Sequence, residues 1–396
     1  MPVKSNHVYD ENDIVLLKGL QGVRKRPAMY IGSTNAMGLH HLVWEIVDNA
    51  VDEALSGYGK IITVTIHKDG SLSVQDEGRG IPVGINKDTG KRAIELVFTE
   101  LHAGGKFSDK AYTTSAGLHG VGASVTNALS EWLECTVCTK GEQYYIKFAN
   151  GGQIVEPLKL IGRTTRHGTL VRFKPDATVF STVDFKWDTI YNHLQESAFL
   201  LKTVHFILKD ERTGESTEFH YENGLQEYIN VLNANNTPLS PVIDFEDNTS
   251  HIKMDIAFQY CSGYYDERIY SYVNNVRTRD GGTHETGFRT GITRAVNDYA
   301  TSNNLLRSKV KLEGSDIREG ITAIISLKIP EDQLEFEGQT KGKLGTPEAL
   351  QLVNNFVYSQ FTYYLSENKE FAVNLIKKCV DAQNARIASR KAKEEA

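Results

Sequence analysis

What most constrains this chain is the order of four short motifs along it. A helical segment comes first, with His41, Glu45 and Asn49 at steps of four residues. Asp76-Glu77-Gly78-Arg79-Gly80 follows at the end of a strand-like run, and Gly117-Leu118-His119-Gly120-Val121-Gly122 then opens a further helix. His167-Gly168-Thr169 stands last, just ahead of another strand-like run. Residues four apart share a helical face, so the first motif is a polar stripe. Leu42, Val43, Ile46, Val47 and Ala50 occupy the rest of the buried side. Polar groups inside an apolar surround are expensive unless satisfied or used.

Each motif has a chemistry and a simpler reading. Glu45 is placed to take a proton from water, His41 to orient it, and Asn49 to offer its amide oxygen to Mg2+, a hard ion that keeps several waters. Alone, the segment also reads as an amphipathic helix with its acidic face in water. Asp76 offers a carboxylate to the exocyclic amine of adenine, with glycines that let backbone and base approach; alone it is a turn. The glycine-rich turn presents free N–H groups and a positive dipole end to phosphate. With 33 glycines in 396 residues, its three-glycine spacing arises by chance roughly 0.2 times. It is not a Walker A loop, because no Gly-Lys-Ser/Thr follows, and no strand and distant acid give it a dinucleotide-binding context.

The surrounding pattern predicts an α/β chain of two or three domains. Residues 1–13 read as an arm, 14–26 as a short amphipathic helix ended by Pro27, and 38–56 as a longer helix closed by Gly57. Residues 61–67 and 72–75 form a hairpin through Asp69-Gly70. The glycine-rich 102–122 stretch reads as a lid, and 187–200 as a helix. Asn233 to Pro241 is turn-rich and marks the candidate domain boundary. A second α+β region starts near 242, helices follow Pro347, and a charged helix runs from Lys377.

Composition narrows the class. Lysine plus arginine number 44 against 50 acidic residues, a net charge of −6, which excludes a wholly basic nucleic-acid binder but not a local basic surface. No apolar run is long enough for a membrane span. The start lacks a signal-peptide core, and the four cysteines fit a reducing compartment, so a cytoplasmic protein is expected. Cys135 and Cys138 lie three apart on a strand-like run and should face opposite ways, as packing residues.

The motif order resembles the GHKL superfamily of ATPases. The segments Leu17–Gly32, Glu45–Gly57, Gln75–Gly84, Leu101–Phe107, Gly117–Ser130, Val273–Phe288 and Glu335–Gly345 closely resemble the bacterial type II DNA topoisomerase B subunits. Lys311–Gly320 and Val276-Arg277-Thr278 look more like topoisomerase IV than gyrase.

The resemblance implies an α/β fold, a GHKL (Bergerat) ATP-binding sandwich followed by an α+β transducer. It divides the chain into an arm at 1–18, an ATPase domain at 19–235 and a transducer at 236–396. It makes Glu45 the general base, His41 its support, Asn49 the Mg2+ ligand and Asp76 the adenine acceptor, with Thr169 beside it. Arg79 and Gly80 belong to the Asp76 motif. Gly104, Lys106, Tyr112 and Gly117, Leu118, His119, Gly120, Val121 and Gly122 match lid positions around ribose and phosphates. Gln339 and Lys341 match the loop that meets the γ-phosphate, and Tyr9 the arm residue that reaches the partner's nucleotide. ATP and Mg2+ are the implied cofactors. The implied partners are a second copy of the chain, joined through the arm when ATP binds, duplex DNA, and a topoisomerase A subunit. Arg277, Arg279, Arg289 and Arg294 are candidate DNA phosphate contacts.

Two departures stand out. Thr139-Lys140 occupies a place where many relatives carry an arginine at the lip of the pocket. The motifs of a DNA-cleaving half are absent from this chain, which is not expected to cut DNA by itself. The alternatives left open are an ATP-gated clamp with little hydrolysis and another GHKL ATPase.

Overall fold

A computed structural model describes residues 9–101, 122–307, 310–338 and 341–396. These fall into two compact units: the first takes in the described residues up to 193 together with 204–219, the second 194–203 and the chain from 220 onward.

The first unit begins with α1 (Gln21–Lys25), α2 (Ala28–Ile31) and α3 (Ala36–Leu55). The expected helix over 14–26 is corrected to α1 alone. Ile14, Val15 and Leu16 are exposed, Gly19 has φ +56°, and only Leu20 and Val23 reach a core. A short helix without an apolar surface to cover is not stable in water. The long helix is present: Asn35 caps α3 by accepting the Met37 N–H at 3.0 Å, and Gly57 leaves it at φ +89°. Leu39, Leu42, Val43, Ile46, Val47 and Val51 on α3 are buried, each contributing about 1.5–3 kcal/mol.

The sheet elements follow: β1 (Ile61–Ile66), β2 (Leu72–Gln75), α4 (Ala93–Thr99), α5 (Gly122–Ala128), β3 (Ser130–Thr139), β4 (Glu142–Ala149), β5 (Gln153–Arg163), β6 (Gly168–Pro175), α6 (Trp187–Leu200), β7 (His205–Asp210) and β8 (Ser216–Phe219). The eight strands run in the order β5-β4-β3-β6-β2-β1-β7-β8. Neighbours are antiparallel except β1 and β7, which pair in parallel from Ile61/His205 to Ile66/Asp210. Strand alternation sets the covered face: Ile62, Val64, Ile66, Leu133, Cys135, Val137, Val171 and Phe173 are buried, and α3 and α5 pack on the sheet. Cys138 is only half-buried, as the spacing from Cys135 predicts.

The second unit contains α7 (Leu225–Leu232), β9 (Thr237–Pro238), β10 (Ile243–Asp247), β11 (Lys253–Ser262), β12 (Arg268–Val273), β13 (Val276–Arg277), α8 (Thr283–Ser302), α9 (Gly314–Arg318), β14 (Ile321–Lys328), α10 (Pro347–Glu367) and α11 (Lys369–Glu395). Its sheet runs β10-β11-β14-β12-β13, with β9 on β11. One face is covered by α8 and α10, which close tightly because Gly287 and Gly291 present bare backbone: a Cβ on either would lie within 2.8 Å of a carbonyl of α10. On the other face Asn233, at the end of α7, donates to Gln259 at 2.8 Å. Among the described residues no helix is long and apolar enough to cross a membrane.

Candidate active site

The predicted stripe on α3 is present, and its first two members meet. His40 turns inward as a satisfied core histidine: Nδ1 donates to Ala36 O at 2.7 Å and Nε2 accepts the Lys186 N–H at 3.0 Å. Burial holds its pKa down, which keeps this neutral form. His41, one residue on, is partly exposed and places Nε2 2.8 Å from Glu45 Oε1. Trp44 stacks at 3.7 Å on His193 of α6, whose imidazole burial pushes down to about 4.

Glu45 is not a solvated surface acid; its side chain is 23% exposed. Its second oxygen lies over the first residue of α5, where a Cβ on Gly122 would be 2.0 Å from Glu45 Oε2. The last glycine of the third motif is therefore the floor on which the Glu45 carboxylate rests. Thr126 Oγ1 donates to Leu42 O at 3.3 Å, and Asn127 Nδ2 to Phe98 O at 2.9 Å, so α5 is fixed to α3 and to the end of α4.

The second and fourth motifs form one unit around Asp76. Its Oδ1 accepts the Gly78 N–H at 2.8 Å and the Thr169 N–H at 3.1 Å. Its own N–H donates to Thr169 O at 2.9 Å. Thr169 Oγ1 accepts the Ile81 N–H at 3.1 Å, drawing the loop after Gly80 around it. Gly168 has φ +130°, and a Cβ there would meet Asp76 O at 2.1 Å, so only glycine brings these strands together. Burial raises the Asp76 carboxyl from 3.8 to about 6, although both N–H donors pull the other way. A desolvated acceptor such as this favours a ligand that brings its own donor.

Glu53 was missed by the sequence reading and holds the two halves together. It accepts from Arg79 N at 3.0 Å, Nε at 3.2 Å and Nη2 at 2.7 Å, while the guanidinium lies 4.2 Å from the Tyr58 ring centre. A Cβ on Gly78 would sit 2.7 Å from Glu53 Oε2. The signal was available, because Glu53 continues the stripe one step of four beyond Asn49. Asn49 is half-buried between the two acids.

A polar cavity of about 300 Å³ lined by Gln75, Glu77, Thr136, Cys138, Gln143 and His167 also borders Asp76 and Thr169. Thr136 and Cys138 face away from the covered side, whereas the Asp76 carboxyl interacts with buried Cys135. That cavity therefore opens on the outer face of the sheet, where it reaches the second and fourth motifs but none of His41, Glu45 and Asn49 on α3.

Of the remaining predicted residues, Gly104, Lys106, Tyr112, Gly117, Leu118, His119, Gly120, Val121 and Gln339 lie outside the described residues. Tyr9 is 77% exposed. Lys341 belongs to the second unit, in a loop between Glu337 and Lys343. Three of the four candidate phosphate-binding arginines use part of their donor set or ring-facing surface within that unit. Arg277 lies over Tyr270 at 4.3 Å, Arg289 Nε donates to Glu267 at 2.8 Å, and Arg294 donates to Asn354 at 2.9 Å and covers Tyr358 at 4.1 Å.

Comparison with known proteins places this geometry. Residues 34–178 match the family described as histidine kinase-, DNA gyrase B- and HSP90-like ATPase, and residues 224–395 match the DNA gyrase B family. The B subunit of DNA topoisomerase 4 from Streptococcus pneumoniae is 55% identical over 96% of this chain and 59% of its own length. Its Bacillus subtilis counterpart is 54% identical over 100% of this chain and 60% of its own. The chain thus spans about six-tenths of the curated relatives it matches. The 43K ATPase domain of Thermus thermophilus gyrase B, solved with an aminocoumarin, superposes with a TM-score of 0.81 at 38% identity, covering 95% of this chain and 98% of that one. The topoisomerase IV ATP-binding domain of Francisella tularensis, solved with a small-molecule inhibitor, gives 0.79 at 31% identity, covering 94% and 99%.

Proposed function

Because the chain belongs to the bacterial gyrase B and topoisomerase IV B family, and its first unit has the GHKL ATPase fold, we propose that it binds and hydrolyses ATP and uses the nucleotide to join two copies into a clamp. Within the longer protein the clamp would close on duplex DNA and, with an A subunit, drive strand passage of the topoisomerase IV kind, in the cytoplasm. The relatives at 52–55% identity support that kind over gyrase. The working parts are an arm over 1–18, an ATPase domain over 19–235 and a transducer over 236–396, although 194–203 and 220–235 pack with the second compact unit.

The observation that carries this reading is the pairing of two unlike carboxylates in one unit. Asp76 is half-buried, its carboxyl raised by desolvation, and holds two N–H donors; Glu45 is also half-buried and is held by His41. Asp76, with Thr169, accepts the adenine amine. Glu45 takes the proton of a water aligned on the γ-phosphate, and His41 keeps the carboxylate in position. Phosphoryl transfer needs positioning and charge neutralisation more than covalent chemistry. Lys341 and Gln339 bring their polar groups to the γ-phosphate, Gly104, Lys106, Tyr112 and Gly117 to Gly122 enclose ribose and phosphates, and Tyr9 reaches the partner's nucleotide.

Mg2+ fits the donors. Asn49 offers one amide oxygen between two acids, and among the described residues no cluster of three or more acidic, histidine or cysteine side chains forms a protein cage. One protein oxygen completed by waters and phosphates is how Mg2+ is usually held at nucleotide sites. Mg2+ would neutralise phosphate charge.

The test is molar mass by light scattering with a non-hydrolysable ATP analogue and Mg2+. Wild type should pass from monomer to dimer, Asp76→Asn should remain monomeric, and Glu45→Ala should dimerise yet lose at least about 100-fold in turnover. A wild-type chain that binds the analogue and stays monomeric would remove the clamp, and an active Glu45→Ala would remove the base.

A further inference from the structure

The loop that carries Lys341 is fastened to the rest of the second unit more firmly than a surface excursion requires. Its two arms bond to each other: Glu337 N donates to Lys343 O at 2.9 Å, Gly345 N to Glu335 O at 2.8 Å, and Phe336 and Leu344 form an antiparallel bridge. Lys343 Nζ adds an ion pair to Glu337 at 2.7 Å.

The returning arm is then bonded to the backbone that leads into α8. Asp280 N donates to Gly342 O at 2.8 Å, Leu344 N to Gly281 O at 3.0 Å, and Thr283 N to Leu344 O at 3.1 Å. Residues 335–337, 342–345 and 280–283 thus make a small three-stranded ladder with the Lys341 tip at one end.

Two residues close this ladder. Gly282 lies against Leu344 with φ +140°, and a Cβ there would be 2.4 Å from Leu344 O, 2.6 Å from its N and 2.8 Å from its Cα. No side chain fits without parting the strands. Thr346 is buried, and its hydroxyl accepts the Glu335 N–H at 3.0 Å while donating to Gln333 O at 3.0 Å. Its carbonyl accepts Thr283 Oγ1 at 2.8 Å. The anchor is itself rigid: Gly281 N donates to Thr278 O at 3.1 Å, and Thr278 Oγ1 lies 2.6 Å from Ser271 Oγ and 2.9 Å from buried His284 Nε2.

We propose that Gly282 and Thr346 are positioning residues for Lys341, setting the height and direction of its loop so that the ammonium meets the γ-phosphate. The inference rests on the reading of Lys341 given above. Neither residue needs to touch nucleotide; each acts through the ladder. A displacement of about 1 Å at a charge-stabilising group lowers turnover by up to about 100-fold, whereas affinity set by the adenine contacts is unaffected.

The experiment compares ATP turnover and analogue affinity for Gly282→Ala, Thr346→Val, Lys341→Ala and the two double variants that include Lys341→Ala. Thermal melts verify folding. Gly282→Ala and Thr346→Val should each lower kcat by about 10- to 100-fold with the analogue Kd unchanged, and neither should add to the loss in the Lys341→Ala background, because groups acting as one unit are not additive. If Gly282→Ala fails to fold, Thr346→Val decides alone. Losses that multiply with that of Lys341→Ala, or a Kd that weakens in step with kcat, would overturn the inference. A Lys341→Ala chain with wild-type kcat would instead overturn the reading beneath it, and the inference would fall with it.

Discussion

Replacing Asp76 by asparagine should stabilise the nucleotide-free protein while abolishing nucleotide binding. The folded-state pKa of Asp76 lies near 6, against 3.8 for an unperturbed aspartate, chiefly because it is buried. A folded state that holds a proton more tightly than the unfolded chain gains stability that is complete below pH 3.8 and lost as pH rises through about 6. At about 1.4 kcal/mol per pH unit, the interval between 3.8 and 6 makes ionised Asp76 cost about 3 kcal/mol at pH 7.5. Asparagine keeps the shape and the oxygen that accepts from Gly78 and Thr169 but carries no charge. The variant's advantage should therefore be small at pH 4 and approach about 3 kcal/mol at pH 7.5, moving the urea midpoint by about 1–3 M. Tryptophan emission is the right probe, because Trp44, Trp132 and Trp187 all lie in the first unit. Saturating ATP analogue should reverse the order, since only wild type gains from binding. A stability difference that does not change between pH 4 and pH 8, or a wild type that is the more stable at pH 7.5 without nucleotide, would refute the reasoning.

Analogue affinity of wild type should weaken by about tenfold per pH unit below pH 6 as Asp76 takes up a proton, measured by calorimetry at fixed ionic strength. Gly122→Ala should fold, because the clash at 2.0 Å falls on the mobile end of Glu45, yet turnover should drop by about 10- to 100-fold as that carboxylate is displaced; unchanged kcat would show that Glu45 has no need of this floor. Gly168→Ala should destabilise the first unit by more than about 3 kcal/mol, since both its φ of +130° and a backbone clash at 2.1 Å oppose a side chain. Chemical denaturation followed through the tryptophans would measure it.

Much of the first unit was legible because local rules and tertiary packing agree there. Steps of four placed His41 against Glu45, the Asp-Gly pair between β1 and β2 specified their hairpin, and Asn35 and Gly57 bracket α3 as cap and stop signals should. The failure at 14–26 has a physical cause: Ile14 and Leu17 have helical spacing, but spacing describes a face and cannot show that a surface exists for it to cover. The position of Gly122 was legible as a helix start, whereas its contact with Glu45 joins segments 77 residues apart and depends on how α3 and α5 cross. Glu53 was passed over, although it continues the stripe, because an acid near a helix end usually faces water; its bonds to Arg79 depend on a loop 26 residues further along the chain. The same limit applies to Gly282 and Thr346, whose meaning lies in a ladder built from three separated stretches.

The parallel pairing of β1 with β7 has a consequence for how the protein is made. β1 ends at Ile66 and its partner begins at His205, 139 residues later. At a synthesis rate of about 5–20 residues per second, one backbone edge of β1 waits about 7–28 s for its neighbour. His41, Glu45 and Asn49 are already made when that interval begins, and the site residues from Asp76 to Thr169 emerge within it, before the strand that pairs with this edge of β1. The nascent chain therefore carries an open edge next to a nearly complete pocket, the stage at which a chaperone or a nucleotide acting on the unfinished protein would have most to hold.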